Sequence, residues 1–257
     1  MFDLWPKSVR RQKLFAQPRP EEWARTLNQQ LWLWSALTAE QQHRLLGLVA
    51  IFLHEKEVVV PAEIHQADAA RLTVAAAACQ MLLGFDDLYC FDRVQTVILT
   101  LRPFRQQIHH GDGIGLVGEL TASGVYTKGA PIALSWRDVQ LECADPAFGH
   151  NVVVHEFAHH VDDLDGALDG APPFASRQLA HRWREVADRE SRRLEQQTAA
   201  GQPTVLDPYG LSNPAEFFAV SCEAYFSQPH ALAVSHPELF QLLRELFRLD
   251  PRPWFAR

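Results

Sequence analysis

The chain has 257 residues, 47% of them apolar, with a formal charge of −7 and four cysteines. That length supports one sizeable domain or two small ones, and the acidic balance argues against a nucleic-acid groove, whose phosphates demand a basic face. Met1 to Pro6 has an acid and a proline and no long apolar core of a secretory leader, and no apolar run approaches the ~20 residues of a bilayer span, so a cytoplasmic protein that does not enter a membrane is expected.

In chain order, the basic run Lys7 to Lys13 reads as a solvated segment. Glu21 to Trp34, Ala39 to Glu55 and Asp68 to Leu83 carry apolar residues at helical spacing, with Thr38 as N-cap of the second. The pattern then turns β-branched. Strands are predicted over Arg93 to Leu101, from Gly124 to Tyr126, and over Ile132 to Trp136. Gly111, Gly113, Gly115 and Gly118 are too loosely spaced for a dinucleotide loop and read as a turn-rich connection. His109 and His110, being adjacent, chelate one ion poorly. Ala133 to Trp136 is expected to form an exposed sheet edge able to pair with an extended peptide. Beyond a buried helix near residue 155, Gly166 to Phe174 breaks the chain, and Ser176 to Gln197 is a long charged helix on the surface. A further helix starts at Pro214 behind the N-cap Asn213, and a last one runs from His236 to Leu249, stopped by Pro251 and Pro253. Cys79, Cys90, Cys143 and Cys222 are scattered, without the close pairs of a zinc knuckle; their even number permits disulfides, but the lack of a secretory signal points to buried free thiols.

Within the buried helix lies His155-Glu156-Phe157-Ala158-His159. Residues four apart share a helix face, so both imidazoles can reach one zinc ion, while Glu156 projects beside the ion, where a carboxylate can take a proton from water. A catalytic zinc needs a third protein ligand. Glu216 and Glu223, two turns apart on the helix behind Asn213, are the candidates; Glu216 is favoured, with Glu223 as a supporting or fallback ligand. Asn213 and Glu216 also fit a capping box, in which the glutamate would bond back to the N-cap amide. Asp162 is placed to orient a ligating histidine, and His160, about 100° around the helix from His159, points away from the ion. The sum is an α+β fold over residues 1–257, a helical N-terminal part at 1–90 and a catalytic core at 91–257 with a small mixed sheet beside the zinc helix.

These residues carry a resemblance. His155-Glu156-Phe157-Ala158-His159 with Val161-Asp162 and Gly166, then Asn213-Pro214-Ala215-Glu216-Phe217-Phe218-Ala219-Val220 with Glu223, resembles the Mlc titration factor A family of zinc peptidases. Pro131 to Val139 and Gln228 to Phe240 look like further blocks of that family, so the likeness covers most of the chain. It implies a zincin-like, gluzincin-type site: one zinc on His155, His159 and Glu216, with Glu156 as catalytic base. It also implies a catalytic tyrosine seven residues before the third ligand, as in the related catalytic domain of anthrax lethal factor, and Tyr209 stands there. The implied activity is peptide hydrolysis, as an aminopeptidase, on a peptide or protein substrate. The implied further partner is the glucose repressor Mlc, through which sugar-transport gene expression would be modulated. An aminopeptidase must hold a substrate amine, and Glu119, Glu142 and Glu223 are the acids available. The competing expectation is a non-catalytic regulator that sequesters a transcription factor around a structural zinc. The family often has Lys where this chain has His160.

Overall fold

The computed structural model describes residues 6–102, 104–107, 119–122, 124–125 and 131–255, with backbone alone between 104 and 125. The glycines at 111–118, His109, His110, Tyr126 and the side chain of Glu119 lie outside the described residues.

The fold is mostly helical. The N-terminal part holds α1 (Lys7–Ala16), α2 (Glu21–Gln30), α3 (Ala39–Glu55) and α4 (Ala67–Cys79). Thr38 caps α3 through a reciprocal capping box with Gln41, the start its sequence predicts. The segment predicted to run helical to Trp34 breaks after Gln30 and re-forms as a 3-10 turn over Trp32–Ala36, which sinks Leu33 and Trp34 into the core.

The run Lys7 to Lys13 is solvated only in part: Lys7, Ser8, Val9, Gln12 and Lys13 are exposed, but Arg11 is buried. The run forms α1, docked on α3: Phe15 lies against Gly47, where an added Cβ would come within 2.4 Å of the ring. Arg11 is buried and forks onto Glu55, Nε to Oε1 at 2.8 Å and an Nη to Oε2 at 2.6 Å, while also donating to Leu88 O at 3.0 Å and to Asp92. Burial by itself would lower its pKa; the hydrogen bonds to Glu55 and Asp92 outweigh that and raise it.

Six strands follow in the described residues: β1 (Glu57–Val59), β2 (Thr96–Thr100), β3 (Phe104–Gln107), β4 (Glu119–Ala122), β5 (Gly124–Val125) and β6 (Ile132–Ser135). One sheet has the order β1-β2-β6-β5, its first three strands parallel and β5 antiparallel to β6, while β3 and β4 pair antiparallel apart from it. Alternate residues Val97, Leu99, Ile132 and Leu134 are buried, as strands covered by helices require. Here a second expectation fails: β6 is interior, with Leu99 opposite Leu134 on one side and Gly124 opposite it on the other. Among the described residues the outer strand next to it is β5, and Trp136 opens a helix instead of ending the strand.

That helix is α5 (Trp136–Ala144), with Ser135 as its cap, followed by α6 (Val152–Asp162), α7 (Arg177–Ala199), α8 (Pro214–Ser227), α9 (Pro229–Ser235) and α10 (Pro237–Phe247). α7 is charged but presents an inward stripe of Trp183, Val186, Glu190 and Leu194. α10 ends at Arg248, which turns left-handed with φ 50°, before either proline is reached. One cluster of buried apolar side chains runs from Leu14 to Trp254, and α6 and α8 pass through it side by side. All four cysteines are buried free thiols. Among the described residues, no helix is long and apolar enough to cross a membrane.

Candidate metal centre

α6 is buried along almost its whole length, so its first amides need partners inside the protein. Three side chains meet them. Asn151 Oδ1 accepts from Val154 N at 3.1 Å, Glu142 of α5 accepts from Val152 N at 2.6 Å, and Glu223 of α8 accepts from Asn151 N at 3.3 Å. Two of the three are carboxylates at the positive end of the helix dipole. Glu142 is nonetheless pushed up to about 7 by burial, which the Val152 amide only partly offsets.

α8 begins as its sequence predicts, with Asn213 Oδ1 accepting from Glu216 N at 3.0 Å and Pro214 in the first turn. The capping box stops halfway. The Glu216 carboxylate turns to α6, where Oε2 lies 3.0 Å from His155 Nε2 and 3.4 Å from His159 Nε2. The ligand atoms of His155, His159 and Glu216 all fall within 4.8 Å of one another. Two imidazole nitrogens and a carboxylate oxygen converging on one point match the donor set of a protein-bound divalent ion, and these three residues could hold one.

Behind the rings, Glu223 Oε2 accepts from His155 Nδ1 at 3.0 Å, and Glu223 Oε1 lies 2.7 Å from His150 Nδ1. A carboxylate on Nδ1 fixes the ring and directs the Nε2 lone pair forward, which is how metal-binding histidines are held. Burial opposes a charge on His155, but Glu216 and then Glu223 override it and raise its pKa well above the usual imidazole value. Both acids are driven the other way, to about 2, because the histidine contacts outweigh desolvation. Both acids are therefore ionised at neutral pH, and the Glu216 oxygen carries negative charge toward the point the three donors share.

Glu156 is 4% exposed, one residue past His155, and its charge reaches both His155 and Tyr209. Tyr209 stands on a 3-10 turn, Pro208–Leu211, whose first amide is capped by Asp207, and its ring centre lies 6.1 Å from that of His155. Burial, then the charges of Glu216 and Glu156, push the phenol up to about 12. His160 faces the other way, 2.9 Å from Tyr89 Oη and edge-on to Phe91. Asp162 departs from expectation: it accepts from Gly170 N at 2.8 Å and ties down the loop after α6, while the carboxylate holding His155 is Glu223. His150 went unnoticed in the sequence. A single histidine ahead of an N-cap carries no motif, and only the approach of α8 reveals its partner.

The profile of the glucose-regulated metallo-peptidase family M90 matches residues 5–248. The chain belongs to this metallopeptidase family. M90 members imply a bound metal, and the only described group of three or more potential metal-binding side chains that close together is His155, His159 and Glu216. Among relatives, the chain is 32% identical over 245 residues to an uncharacterised protein of Synechocystis, covering 94% of this chain and 89% of the other. It is 30% identical to Mlc titration factor A of Escherichia coli, covering 85% and 83%, and 29% identical to the Salmonella arizonae protein of that name, covering 86% and 92%.

Proposed function

We propose that this M90 protein is a cytoplasmic zinc peptidase with a single zincin-like domain, acting as an aminopeptidase on a peptide or protein substrate. The observation that carries the reading is the meeting of His155, His159 and Glu216 within 4.8 Å, two of them from α6 and the third from α8. These three would hold one Zn²⁺, leaving a fourth position for water or substrate. When bound, zinc polarises the substrate carbonyl and acidifies its water toward neutral pH.

The chain's own groups do the rest. Glu156 takes a proton from the attacking water and returns it to the leaving amine. Tyr209, with its pKa near 12, keeps its proton throughout neutral pH and so donates a hydrogen bond to the developing oxyanion. Glu223 holds the His155 ring from behind. Of the acids considered for a substrate amine, Glu142 and Glu223 are committed to internal contacts, so the exopeptidase preference rests on the family likeness.

The name of the Escherichia coli and Salmonella relatives motivates a second reading, in which the protein binds the repressor Mlc and modulates transcription without hydrolysis. The buried Glu156 favours the peptidase, since a structural ion has no use for a base there. Metal analysis of the purified protein, with chelator-sensitive hydrolysis of N-terminally free and blocked peptides, tests the proposal. One zinc per chain and cleavage of free peptides alone is expected; tight binding of a repressor with no cleavage of any peptide would give the regulatory reading precedence.

A further inference from the structure

His150 is half-exposed, with its side chain 52% accessible, and sits just ahead of the α6 cap. An ordinary surface histidine in that place would contribute little. This one is held from two sides. Gly149, left-handed at φ 68°, is pinned through its carbonyl by Gln228 Nε2 at 3.2 Å, and His150 Nδ1 reaches Glu223 Oε1 at 2.7 Å. Glu223 and Gln228 both belong to the α8 end of the site, so α8 fixes the backbone before His150 as well as its ring.

The Glu223 carboxylate has two oxygens with different tasks. Oε2 accepts from His155 Nδ1 at 3.0 Å; Oε1 takes His150 and, at a longer 3.3 Å, the amide of Asn151. Without His150, the short contact on Oε1 is gone, and the carboxylate is free to swing toward the amide. That swing carries Oε2 off the His155 ring. We infer that His150 is a positioning residue of the metal centre, acting through Glu223 to hold His155 in its ligating orientation. The inference rests on the zinc site proposed above.

The test measures zinc affinity of the metal-stripped full chain by competition with a chromophoric chelator, alongside the melting temperature. His150→Ala is expected to weaken zinc binding roughly 10-fold, the lower end of what lost outer partners of metal ligands cost. His150→Asn, which keeps a donor near Nδ1, should recover most of that loss. In a Glu223→Ala background, His150→Ala should cost nothing further, because no side-chain acceptor remains to pass its effect to His155. Wild-type affinity in His150→Ala would overturn the inference, as would a full additive loss in the double variant. If His150→Ala also lowers the melting temperature, the asparagine variant decides: recovered affinity supports the relay, and alanine-like affinity at wild-type stability overturns it. A wild-type chain that binds no zinc overturns the site itself, a result readily told from the others.

Discussion

His155 and His160 lie on the same helix, five residues apart, and their surroundings make them opposites. His155 faces α8 and meets Glu216 and Glu223, which raise its pKa well above the usual value despite burial. His160 faces Tyr89 and Phe91, where burial, with Lys56 adding to it, lowers its pKa to about 4. The difference teaches that α6 supplies nitrogens, while the neighbouring element decides what they do. A helix rich in histidine is a metal site only along the face that acids approach.

The contrast breaks first at Glu156, the one carboxylate that α6 itself brings to the proposed active face. Glu156→Gln should reduce peptide hydrolysis on the order of 10³-fold, the scale of a lost general base. Zinc content should stay at the wild-type level, because the three proposed ligands are untouched. Retained hydrolysis would remove the residue from the chemistry. The same variant separates the two proposed activities, since repressor binding should survive it.

Tyr209→Phe comes next. The ring keeps its place beside His155 and loses only the hydroxyl, so kcat should fall about 10²-fold, roughly 3 kcal/mol in the barrier, with KM and zinc affinity little changed. A normal kcat in this variant would make Tyr209 a rim residue and no more.

On the opposite face the expected effect falls on stability. His160→Ala takes away the partner of the Tyr89 hydroxyl and a packed ring, and should cost about 1–3 kcal/mol in denaturant unfolding. Zinc binding and activity per folded molecule should hold at wild-type values. A drop in zinc affinity comparable to that of a Glu223 variant would erase the distinction between the faces.

Much of the candidate site was legible from residue types and spacing. Two histidines four apart must share a helix face, and a glutamate after an Asn-Pro start must lie in the first turn of the next helix, so the candidate ligands could be named before any fold was known. Which of its two competing roles Glu216 takes depends on where α8 packs, which spacing does not encode. The same holds for Glu223, placed among several options by sequence and given its task only by contact with His155 and His150. Arg11 misled for the complementary reason: a basic run signals solvent unless its acids are known, and Glu55 and Asp92 are far along the chain. The interior position of β6 was hidden too: a strand beginning at Gly124 could be read from the residues, but not that it would pair alongside β6.

Asp162 sharpens the comparison most finely, since it is a buried acid on α6 that, among the described residues, has no cationic partner like those of Glu216 and Glu223. Burial pushes it well above the ordinary aspartate value, up to about 7; the Gly170 amide resists this, and the negative charges of Asp169 and Asp165 add to it. The folded form therefore keeps a proton between about pH 4 and 7 that the unfolded chain has released. Its stabilising contribution is complete below pH 4, declines as pH rises toward 7, and is absent above. Asp162→Asn preserves an acceptor for Gly170 and cannot ionise, so the metal-free variant should lose this slope and be the more stable form at pH 8. Urea midpoints of both proteins at pH 5 and pH 8 measure it. A shared slope would mean that Asp162 ionises as freely in the fold as out of it, and that the back of α6 is better solvated than its burial indicates.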